Sequence, residues 1–150
     1  MNKKNTKQSI DILLKIFFIL YLVILFRITV FRAGFSFENL LKNGTINVTL
    51  FQGYLPILEG GHWFRFIYLF VGNIIWFVPL GAYLQYQKKF KKIGTIVLLG
   101  FFLSLTIESL QYVFGTGYSE LDDLILNTVG AWLGALLCKK FSAILSLQRR

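Results

Sequence analysis

Cysteine and histidine are almost missing from this chain, with Cys138 and His62 the single examples of each, and there are two prolines, Pro56 and Pro79. A lone cysteine rules out an intramolecular disulfide. A lone histidine with no cysteine near it offers none of the ligand spacings that hold zinc, so no metal site and no cofactor are expected. Acidic residues are scarce as well, seven against sixteen lysines and arginines. Charged residues of both signs make up 15% of the sequence, where a soluble domain usually has about 25%. A soluble helical bundle needs polar outer faces, and the long apolar runs here lack them. There is also no phosphate loop and no nucleophile–base pairing.

What the chain has instead is apolar length. Hydrophobic residues are 55% of the total and fall mainly in four runs, at about 10–31, 64–86, 93–114 and 121–141. Each approaches the roughly 20 residues that cross a bilayer core. The expectation is an all-α, polytopic membrane protein, a four-transmembrane-helix bundle forming a single domain over 1–150. Trp63, Phe64 and Tyr68 suit one headgroup level, and Tyr83 and Tyr86 the other.

The excess of +9 is placed as a membrane protein would place it. Lys3, Lys4 and Lys7 precede the first run; Lys88, Lys89, Lys91 and Lys92 separate the second from the third; Lys139, Lys140, Arg149 and Arg150 close the fourth. With four spans these places share one side. The positive-inside rule makes that side cytoplasmic, giving an N-in/C-in topology in a multi-pass cell-membrane protein. Such clusters favour anionic lipid headgroups and leave no nucleic-acid reader. The 33–62 connection then lies outside, with a fairly apolar stretch at 50–58, and 115–120 reads as a tight glycine turn.

Polar residues at membrane depth must find a partner or a cavity. In the third run Gly100, Ser104, Glu108 and Gln111 share a stripe; in the fourth, Asp123, Asn127, Gly130 and Gly134 do. Glu108 lies roughly 22 Å up a ~30 Å core from the basic end, in its outer half. The second run adds Asn73, then the helix-disturbing Pro79 and Gly81. Asn73, Glu108, Gln111, Asp123 and Asn127 are expected to line one polar pocket, with Arg27 as counter-charge. The competing reading is that the amides merely join helices. Asp122 and Asp123 have a helix-capping alternative. Gly130 and Gly134 form the small-xxx-small pattern of close helix packing.

On these same residues the chain resembles the VanZ family of small membrane proteins over about 71–137. The resemblance rests on Gly72-Asn-Ile-Ile-Trp-Phe-Val-Pro-Leu-Gly81, on Ser104-Leu-Thr-Ile-Glu-Ser-Leu-Gln111, and on Asp122-Asp-Leu-Ile-Leu-Asn-Thr-Val-Gly130. Asn47-Val-Thr-Leu-Phe51 lacks a proline that many members carry, and Gly117-Tyr118 stands where many have an arginine. The resemblance implies a cell-envelope role, or resistance to teicoplanin, a lipoglycopeptide acting on cell-wall precursors at the outer face. The expected mechanism is non-catalytic binding of an amphiphile or lipid-linked precursor in the outer-leaflet pocket, with membrane lipids as partners and an oligomer possible. The alternative is an intramembrane enzyme on a lipid-linked substrate with Glu108 and Asp123 as acid and base. A proton-coupled transporter would lack the internal repeat usual in that class.

Overall fold

Inside a bilayer every backbone N–H and C=O must be satisfied within the chain, and a helix does this segment by segment. The four apolar runs accordingly form α1 (Lys3–Thr29), α3 (Trp63–Tyr86), α4 (Ile93–Phe114) and α5 (Leu121–Leu147), all four long and apolar enough to cross a membrane. The structure is a computed structural model that describes residues 3–42, 44–87, 90 and 92–147. Lys88, Lys89, Lys91, Arg149 and Arg150 lie outside the described residues, as do the side chains of Lys3, Lys4 and Lys7.

The connections hold more order than the sequence announces. Between α1 and α3 come a 3₁₀ turn at Phe37–Asn39, a strand β1 (Thr45–Asn47) and a short helix α2 (Leu55–Glu59) with Pro56 in its first turn. The 115–120 segment contains a second strand, β2 (Tyr118–Glu120), so the turn is not only a glycine turn. The strands pair in parallel, with Thr45 opposite Tyr118, Ile46 opposite Ser119 and Asn47 opposite Glu120. Three-residue strands show no periodicity, and their partner lies far along the chain, which is why hydropathy passes over them. Leu41 N–H donates to the Val113 carbonyl at 2.7 Å. Gly44 crosses so near that a Cβ there would fall on the Tyr112 backbone, and the long connection is thereby clamped over the end of α4.

α3 and α5 form the tightest seam. A Cβ on Gly81 would strike the Ala131 carbonyl, one on Gly130 the Ile74 carbonyl, and one on Gly134 the Val78 carbonyl. Both partners of the seam contribute glycine, so the backbones approach as small-residue interfaces allow. Gly100 lets α4 come up against Ala131 in the same way. Pro79 lies inside α3 and offers no N–H to the turn before it. Leu25 of α1 and Val30, just past its end, join a core of Phe77, Leu80, Ile107 and Ala131, and Tyr21 donates its hydroxyl proton to the Trp76 carbonyl at 2.6 Å. Most of α1 is otherwise exposed and apolar, including Ile12, Phe17, Leu20 and Val23, as a lipid-facing helix is.

Candidate functional site

Helical spacing on α4 puts Ser104, Glu108 and Gln111 on the face that packs inward, and all three are buried. α5 presents Asp123 and Asn127 opposite them. Asn127 Nδ2 donates to Ser104 Oγ at 2.9 Å, which joins the two stripes at their deepest polar point. Glu108 Oε2 accepts from the Glu120 backbone N–H at 2.9 Å, so the end of β2 holds the carboxylate. Asp123 Oδ1 accepts from Asn73 Nδ2 and, at 3.4 Å, from the Tyr54 hydroxyl. Gln111 donates Nε2–H to the Thr29 carbonyl at 3.3 Å, while its Oε1 is buried without a partner among the described residues.

These side chains surround a cavity of about 530 Å³. Asn73, Glu108, Gln111, Asp123 and Asn127 all line it, together with Tyr54, Glu120 and the apolar Leu25, Phe77 and Ile107. A volume of this size lies within the range of small-molecule sites.

Arg27 does not take the place expected for it. It is exposed, its guanidinium donates to the Phe31 carbonyl, and it is not among the residues lining the cavity. The reason is helix phase: Leu25 and Thr29 face the cavity, and a residue midway between them at 3.6 residues per turn points to the far side. The cavity's arginines are Arg32, just past α1, and Arg65, in the first turn of α3. Sequence reasoning missed both, although they flank the first and second apolar runs at what becomes the same end of the bundle. Arg32 Nε donates to the Thr116 carbonyl, and its guanidinium fills the space that a Cβ on Gly117 would occupy. The turn where the resemblance expects an arginine is thus covered by an arginine from another part of the chain.

Two residues of the long connection complete the wall. Tyr54 is buried, and its phenol pKa is raised above the ordinary value, mainly by burial and next by the charge of Asp123. It therefore remains a hydrogen-bond donor throughout the physiological range. Phe51 adopts a left-handed backbone (φ 59°), costly for a bulky residue. Its N–H donates to Asp122 Oδ2 at 2.8 Å, and its ring lies near those of Tyr54 and Phe70. Asp122 is buried and does not line the cavity, so adjacent aspartates divide between holding the connection and facing the cavity.

Comparison with known proteins identifies relatives over most of the chain. The family model described as VanZ/LLP1 matches residues 18–145. Protein VanZ of Enterococcus faecium is 32% identical over 122 residues, covering 79% of this chain and 68% of that protein. No solved structure matches.

Proposed function

The chain belongs to the VanZ/LLP1 family, and from that premise we propose that it serves the bacterial cell envelope by binding the head of an amphiphile in the α3–α4–α5 cavity. The amphiphile is a lipoglycopeptide of the teicoplanin type or a lipid-linked cell-wall precursor, and binding it confers tolerance to the drug. The observation that carries this reading is the composition of the cavity wall. Its floor is polar and acidic, whereas Ile28, Tyr68 and Trp76 on its α1 and α3 sides are exposed and apolar or aromatic. A head could sit on the floor while its chain stays among lipids. With the basic clusters in the cytoplasm, this end of the bundle belongs to the outer leaflet of the plasma membrane.

One observation favours the catalytic reading. Glu108 and Asp123 face the same cavity, and among the described residues no lysine or arginine makes an ion pair with either. An acid–base pair on a lipid-linked substrate needs that arrangement. Carboxylates that paired off with Arg27 and left no space would have spoken against it.

The test compares cells of a susceptible host carrying equal membrane amounts of wild type and of Glu108→Gln, which keeps size but removes the charge. Wild type is expected to raise teicoplanin tolerance and the variant to lose that gain. Equal tolerance would sink the role given to Glu108. Chromatography of labelled lipid extracts incubated with purified protein separates the two readings, since turnover that Asp123→Asn abolishes would make the protein an enzyme.

A further inference from the structure

We propose that the head this cavity takes is zwitterionic, with a primary ammonium held at Glu108, Asp123 and Gln111 and an adjoining phosphate facing Arg65 and Arg32. The proposal rests on the reading above that the cavity binds the head of an amphiphile, and it names an amine-and-phosphate head in place of the two ligands given there.

Three acceptors lie together on the inner wall. Glu108 and Asp123 line the cavity without an ion-pair partner among the described residues. Carboxylates removed from water are stable only when paired, hydrogen-bonded or neutralised. The third acceptor is Gln111 Oε1. It belongs to a side chain only 7% exposed, is itself closed off from solvent, and has no hydrogen-bond partner among the described residues, so it reaches a bound ammonium once the amide turns toward the cavity. Gln111 follows Glu108 by one helical turn on the same α4 face. An ammonium group offers three N–H donors and no acceptor, and so complements this set.

The opposite sign occupies the rim. Arg65 lines the cavity from the first turn of α3, is exposed, and makes no hydrogen bond or ion pair with a described residue. A cation in that turn adds to the positive end of the helix dipole, and both favour an anion beside it. Arg32 spends its Nε–H on the Thr116 carbonyl, packs its guanidinium against Gly117, and lines the cavity beside that turn. Guanidinium groups bind phosphate through paired hydrogen bonds. A purely anionic head would be opposed by the carboxylates and a purely cationic one by the arginines. A head carrying both signs satisfies both walls.

The amine-and-phosphate pair could belong to an aminophospholipid or to a free zwitterion. Purified full-length protein in dodecylmaltoside is titrated with dihexanoylphosphatidylethanolamine, its N-acetyl derivative, dihexanoylphosphatidylglycerol and chain-free phosphoethanolamine. The readout is tryptophan fluorescence, Trp76 being part of the wall. The ethanolamine lipid is expected to bind about tenfold tighter than the other two lipids, the worth of one charge-assisted hydrogen bond. Glu108→Gln should remove that preference and tighten phosphatidylglycerol binding, since one opposing carboxylate is gone, whereas Arg65→Gln should weaken every phospholipid. The N-acetyl lipid binding as tightly as its parent to wild type would overturn the zwitterionic assignment alone, with no variant needed. Failure of every probe to bind protein that still unfolds cooperatively would overturn the binding reading with it. Chain-free phosphoethanolamine matching the lipid would support the head chemistry and overturn the lipid as its source.

Discussion

Asp122 and Asp123 are neighbours of one type, yet a helix turns them about 100° apart and gives them different surroundings. Asp122 fixes the Phe51 N–H of the long connection, and Asp123 meets Asn73 and Tyr54 at the cavity. Asp122→Ala should lower the thermal midpoint of the protein in detergent, with a loss of about 1.5–3 kcal/mol for a buried hydrogen bond to a charged group. An unmoved midpoint would mean that Phe51 keeps its left-handed backbone unaided. The arginines make a second comparison at this scale. Arg27→Gln should leave teicoplanin tolerance and melting as they are, because the side chain is exposed and, among the described residues, bonds only to the Phe31 carbonyl just past its own helix. A loss of tolerance as large as that of Glu108→Gln would return Arg27 to the site. Glu108 and Asn127 were legible as site candidates because a polar residue in an apolar run has few reasons to be there. Arg27 was misjudged because its depth could be counted from the sequence but its direction could not.

Packing is decided between elements, and the glycines show how. Gly130 and Gly134 were recognisable by their spacing, but nothing in that spacing names a partner helix. In the fold the partner is α3, which brings Gly81 to the same seam. Gly134→Leu would drive a side chain into the Val78 carbonyl and the Ala82 N–H region, an overpacking worth about 1–3 kcal/mol or more. The expected result is a lower folded yield in membranes and a lower melting point in detergent. Yield and melting equal to wild type would mean that α3 and α5 can separate freely on this face. The β1–β2 pair belongs at this scale too. It ties the 45–47 segment to β2, whose Glu120 N–H holds Glu108, so the connection between α1 and α3 helps shape the acidic wall.

For the whole molecule the open question with the widest consequence is orientation. The long connection, both strands and the cavity's arginines lie toward one end of the bundle, with α2 beside them. The positive-inside rule, applied to the basic clusters around the termini and between α3 and α4, predicts that the other end faces the cytoplasm. Reporters fused after Lys92 and after Arg150 should both read cytoplasmic, and one inserted near Gly44 should read outside. A cytoplasmic signal at Gly44 would invert the molecule and remove the cavity from the leaflet where teicoplanin acts.

The sequence by itself determined the spans and which polar residues lie at depth, because both follow from local quantities. A run of apolar residues has a length, and a residue within it has a distance from the end. Hydropathy therefore found α3 and α4 to within a residue at each end, whereas α1 begins before its apolar run, at Lys3, and α5 continues past its own to Leu147; the stripes on α4 and α5 followed from 3.6 residues per turn. Tertiary structure alone decided which way α1 is rotated, which helix receives the glycines of α5, and that Arg32 and Arg65, not Arg27, line the cavity with Glu108 and Asp123. Those choices depend on contacts between segments far apart in the chain. A lipid-facing helix such as α1, apolar on nearly every side, carries no polar face to announce its rotation.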